Sequence, residues 1–205
     1  QVTDPVFMGS KYYNVNVYNN RLGLISESKQ ATLTALEWYR KAKSLPLEKI
    51  YFSYAALANI NWYQLKNDSA RFYFEKALET VSQMPNTPIN KFFRKAMLQN
   101  GIMATLREDG KSDSAIYWGY QVIDNYKAFI NSSPKPTEVK LNASKEGYCE
   151  AIDNLAGVYE EIGNYQKAEN LFFYSYEKKK NYWGEAYYGV FISEILIGQH
   201  FDKIN

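Results

Sequence analysis

Residues 163–180 read GNYQKAENLFFYSYEKKK, with Gly163, Tyr165, Ala168 and Phe172 at offsets of 0, 2, 5 and 9. A glycine followed by an apolar pattern of helical period marks the end of one helix and the start of the next. The same alanine-centred pattern occurs three more times, as Ala35 in TALEWYRKA, Ala70 in DSARFYFEKA and Ala115 in DSAIYWGYQV. Four residues after each alanine stands Tyr39, Phe74, Gly119 or Phe172, and seven after stands Ala42, Ala77, Val122 or Ser175. Spacings of four and seven share one helical face, so the small residue permits close approach while the ring fills the groove beside it. Gly119 breaks the pattern, and the adjacent Trp118 is expected to substitute.

A second helical pattern precedes each of these. Leu22-Gly23, Leu57-Ala58 and Leu155-Ala156 are apolar-then-small pairs suited to a tight helix crossing. In the third unit Gly101 takes this place, and the turn REDGKSD is read as lengthened by about two residues. Breaker-rich MPNTPIN (84–90) and INSSPKPTEVK (130–140) read as loops, the second leading into an extended helix. WGEAYYGVFISEILIGQHFDKIN, from residue 183, reads as the first helix and turn of a further unit, with Ile204 where alanine would stand.

The composition fits a folded helical chain. Its 205 residues suffice for a real core, and 46% hydrophobic against 22% charged residues exclude a disordered chain. Nineteen Tyr, 11 Phe and four Trp demand burial for many rings. The net charge of +2 combines a basic stretch to residue 102, with 13 Lys/Arg against 7 Asp/Glu, and an acidic remainder, with 11 against 15. The basic residues nowhere reach the density of a nucleic-acid surface. A single cysteine, Cys149, excludes an internal disulfide framework, and no apolar run is long enough to span a membrane.

The helix-turn-helix unit of about 34 residues resembles the tetratricopeptide repeat (TPR). Residues 149–182 carry it best, with Leu155, Ala156, Tyr159, Gly163, Tyr165, Ala168 and Phe172 at the signature places. In 51–84, Asn61 and Asn67 stand where aromatics are usual. The resemblance implies an all-α chain, an α-solenoid coiled as a right-handed superhelix of antiparallel helix pairs. It is read as a single domain over 1–205, with units at 16–49, 51–84, 92–127, 140–182 and an incomplete 185–205. A last unit without its second helix, and a chain beginning at Gln1, suggest a removed leader or a portion of a longer protein. The compartment is expected to be extracytoplasmic if a leader precedes Gln1, and cytoplasmic otherwise.

The residues offer little for chemistry. His200 is the only histidine and is read as a solvated turn residue far along the chain from Cys149. No Cys/His metal set, phosphate-binding loop or dinucleotide fingerprint is present. Glu160-Glu161 and Glu108-Asp109 read as solvated faces. No catalysis and no cofactor are expected.

What the resemblance implies instead is binding of a protein or peptide in a concave groove lined by the first helices. The corresponding positions include Asn20, Phe52, Asn59, Trp62, Tyr63, Lys95, Glu150, Asp153 and Glu160. Asn side chains can hydrogen-bond a peptide backbone, and aromatic anchors supply much of an interface's energy. Asn59 stands out, because a buried Asn in an apolar groove is costly without a partner. The Lys/Asn set with which some relatives grip a terminal carboxylate is replaced by Asn20 and Leu24. Two functions follow: a scaffold without chemistry of its own, or the N-terminal input domain of a larger bacterial signalling protein.

Overall fold

The computed structural model describes Asp4 to Ile204. Among these residues the regular structure is entirely helical, and contacts gather into two compact units, one up to Lys91 and the other from Phe92. The first holds α1 (Pro5–Arg21), α2 (Ile25–Arg40), α3 (Leu47–Tyr63) and α4 (Asn67–Ser82). The second holds α5 (Lys95–Glu108), α6 (Ser112–Ile130), α7 (Glu138–Glu161), α8 (Tyr165–Trp183) and α9 (Tyr188–Ile204). A π-helical turn, Ile89–Arg94, leads directly into α5. Helices pack as α1 with α2, α3 with α4, α5 with α6 and α7 with α8, and α9 packs on α8.

One turn is repeated four times. Gly23, Leu65, Gly110 and Gly163 all have positive φ, between 57° and 75°. The N–H that follows each one donates to the carbonyl five residues back: Leu24 to Asn19, Lys66 to Asn61, Lys111 to Leu106, and Asn164 to Tyr159, all at 2.8–2.9 Å. This is the bond of a Schellman motif, which satisfies the free carbonyls at a helix end and reverses the chain. The turn at REDGKSD is therefore no longer than the others. Four residues on, Ser28, Ala70, Ala115 and Ala168 each donate to the second helix's capping residue. The structural counterpart of the three alanines is thus Ser28 and not Ala35. Ser28 and Ala35 lie seven residues apart on one face of α2 and are both fully buried, which is why the sequence pattern fits either.

The first unit's core joins Ala35, Leu36, Tyr39, Ile50 and Leu57, with Tyr12, Tyr13, Tyr54 and Tyr73 packed around them. In the second unit one cluster centres on Phe93, Tyr126, Phe129, Tyr148 and Ile152, another on Leu155, Tyr159, Ala168 and Phe172. Gly119 lies on the packed face itself: a Cβ there would stand 3.0 Å from Leu155 Cδ1 and Met103 Sδ. No substitution by Trp118 is needed, because Leu155 occupies the space a side chain would fill. The helix α9 runs unbroken through residue 200, where a turn was expected.

Candidate functional site

The predicted groove residues fall into two environments. In the first unit, Phe52, Asn59 and Tyr63 are seven and four residues apart and form one stripe along α3. Phe52 is 44% exposed and Tyr63 73%, and Asn59 is exposed too. Trp62 is half-buried, its ring 5.5 Å from that of Tyr63. Asn20, exposed near the end of α1, has its carbonyl engaged by the Gly23 N–H.

Exposure of Asn59 corrects the expectation of a buried amide there. The fully buried asparagine is Asn61, about half a helical turn away around α3. Its amide donates to the Leu57 carbonyl at 2.6 Å and its side-chain oxygen accepts from Lys29 Nζ at 2.9 Å. A polar side chain replaces the usual aromatic because α2 supplies it with a partner.

In the second unit Lys95 and Glu150 are exposed on α5 and α7. Asp153 and Glu160 are not. With Glu146 they form a carboxylate stripe at seven-residue spacing along α7, and each meets a donor from α8, α9 or the turn between them. Tyr187 donates to Glu146 at 3.2 Å. Lys179 on α8 donates to Asp153 at 2.6 Å and to Ser193 on α9 at 2.7 Å, with the side chains of Lys179 and Asp153 only 8% and 13% exposed. Burial pushes the Asp153 carboxyl up, against the opposing pull of the Lys179 ammonium.

Glu160 accepts from His200 Nδ1 at 2.8 Å and from Lys203 Nζ. Burial alone would raise its carboxyl, but these two donors outweigh it and hold Glu160 below the ordinary range. His200, expected in solvent, is 1% exposed, with the rings of Tyr165, Phe172 and Phe201 about it. Glu161 pairs with Arg107 at 2.7 Å. The reading of Glu160 as part of a solvated face is corrected accordingly, while Glu161 is exposed as expected and also paired across helices.

Nothing in this cluster forms an evident nucleophile. Burial pushes the Cys149 thiol up to about 12, so it stays protonated near neutral pH. Among the described residues no group of three His, Cys, Asp or Glu could hold a metal ion, and no helix is long and apolar enough to cross a membrane.

Solved structures of other proteins share the helical fold. BtubC from P. vanneervenii superposes with a TM-score of 0.75 at 13% identity, over 97% of this chain and 75% of that one. A kinesin-light-chain-type protein of Podosopora anserina with nearly identical TPR-like repeats gives 0.72 at 12% identity, over 98% and 88%. The chain has the TPR-type helical repeat fold. A Rap protein solved in complex with Competence and Sporulation Factor shares the fold, with a TM-score of 0.69 at 12% identity over 99% of this chain. The TPR-type chain spans only 50% of that Rap protein's length. No protein-family model and no curated protein sequence matches it.

Proposed function

We propose that the chain is a protein- or peptide-binding scaffold without catalysis of its own, and that the α3 stripe of Phe52, Asn59 and Tyr63 is its principal contact surface. The observation that carries this reading is the exposure of two aromatic rings flanking an exposed amide on one helical face. Rings left in water at such spacing suit alternate side chains of a partner, and the amide suits its backbone. Leu65, 79% exposed at a positive φ just beyond Tyr63, adds apolar surface at this end of α3. Asn20 and Trp62 are assigned supporting contacts within the same unit, and Lys95 and Glu150 separate contacts within the second unit. Glu160 contributes by anchoring α9 directly, and Asp153 by holding Lys179, which reaches α9 at Ser193.

A peptide library displayed on phage, selected against the whole chain, tests the stripe. Selected peptides are expected to lose roughly tenfold or more in affinity on Asn59→Ala/Tyr63→Ala, the loss typical of an interface anchor. The thermal melt should hardly move, since both residues are exposed. Unchanged affinity would place the contact surface elsewhere. The Rap complex favours a second reading, in which the chain is the signal-binding part of a larger bacterial regulatory protein. An immunoblot of the native polypeptide separates the two: a band near the chain's own 23.8 kDa supports a free scaffold, a much larger one an input domain.

A further inference from the structure

On the side of α3 turned away from the stripe, a cavity of about 360 Å³ opens between α2, α3 and α4. Ile50 and Tyr54, which line it, lie nearly opposite Phe52 around the helix. Leu36, Leu45, Leu47 and Ile50 make an apolar lining, and the polar residues gather at Arg40, Lys76, Glu79 and Gln83. The charges do not balance. Lys76 is paired with Glu79 at 2.9 Å, whereas the guanidinium of Arg40 donates to the neutral Tyr54 hydroxyl at 3.2 Å and meets no carboxylate among the described residues.

We infer that this cavity binds a small aliphatic carboxylate, its branched carbon chain on the leucine-isoleucine lining and its carboxylate on Arg40. A guanidinium takes a carboxylate through two parallel N–H donors, so Arg40 retains capacity beyond its single bond to Tyr54. The volume falls at the small end of ligand sites and holds a group of leucine size with room to spare. Glu79 beside Lys76 cancels that lysine's charge and disfavours multiply charged anions such as phosphates. Arg40, exposed at the rim without a carboxylate partner among the described residues, and the leucine and isoleucine side chains beneath it therefore favour a single negative charge on an apolar body. The same chemistry is offered by the terminal leucine of a peptide and by a free branched acid.

The test is a titration of the whole ¹⁵N-labelled chain, followed by amide chemical shifts, with 4-methylpentanoate, N-acetyl-leucine and Gly-Gly-Leu. N-acetyl-leucinamide, of the same shape without the charge, is the control. The carboxylates are expected to shift the amides of Leu36, Arg40, Ile50 and Gln83, with N-acetyl-leucinamide at least about tenfold weaker. Arg40→Gln should weaken the carboxylates by a similar factor and leave the leucinamide unchanged, while its spectrum reports that the fold is kept. Tighter binding of Gly-Gly-Leu assigns the site to peptide ends, tighter binding of 4-methylpentanoate to free acids, and either supports the inference. Equal shifts from acid and amide, an unaffected Arg40→Gln, or silent cavity resonances at the solubility limit would overturn it. Asn59→Ala/Tyr63→Ala leaves this titration unaltered, so the cavity and the α3 stripe stand or fall separately.

Discussion

Gly147 and Gly119 each bring a helix close to its neighbour, with unequal tolerance for a side chain. A Cβ on Gly147 would stand 2.4 Å from Cζ of Tyr126, a ring buried to 4% exposure. On Gly119 it would meet the flexible ends of Leu155 and Met103 at 3.0 Å. Gly147→Ala is therefore expected to cost about 1–3 kcal/mol by overpacking. Gly119→Ala should stay within about 1 kcal/mol of the parent, because alanine's helix propensity offsets the crowding. Urea unfolding of the two variants measures the contrast, and equal losses would show that the Tyr126 ring yields as easily as an aliphatic end. The sequence singles out Gly119 because it interrupts a spacing pattern. Gly147 interrupts nothing, since the ring that requires it lies on another helix.

Between elements, α9 is tied down by Glu160 of α7 and by Lys179 of α8, which Asp153 in turn holds. Glu160 holds both His200 and Lys203 and has its carboxyl below the ordinary value of 4.5. A group that binds its proton less readily when folded contributes stability that is complete above its unfolded value and is lost as the pH falls through the folded one. Protection of the α9 amides should accordingly fall as the pH drops below about 4.5. Glu160→Gln should weaken that protection at neutral pH and flatten its decline in acid. Hydrogen exchange read by mass spectrometry checks this, and an unchanged acid profile would remove Glu160 as the anchor. The later helix pairs are legible from apolar spacing, but in the first pair Leu22-Gly23, expected at a helix crossing, is the turn itself. The α9 anchors are not legible, because the spacing places His200 in a turn and leaves Glu160 without an assigned neighbour.

For the molecule as a whole, the presence of two compact units sets how damage spreads. Ala70 and Ala168 are both fully buried, one in each unit. Leucine at either place should cost about 1–3 kcal/mol. Loss of exchange protection should concentrate up to Lys91 for Ala70→Leu, and from Phe92 for Ala168→Leu, because repeats draw stability mainly from their neighbours. Uniform loss across the chain in both variants would show one cooperative block. At this scale the repeat architecture could be read in advance, since period and small-residue spacing survive imperfect copies. The phase of the first unit could not, since Ser28 and Ala35 satisfy the same helical spacing. The four turns carry a further consequence. Three use glycine and one uses Leu65, yet all close with the same bond, as Ser28 and Gly119 keep their places without the signature letter. The fold of such a chain is held in hydrogen bonds and close approaches that several letters can supply, so a comparison of shapes finds the repeat where a comparison of letters does not.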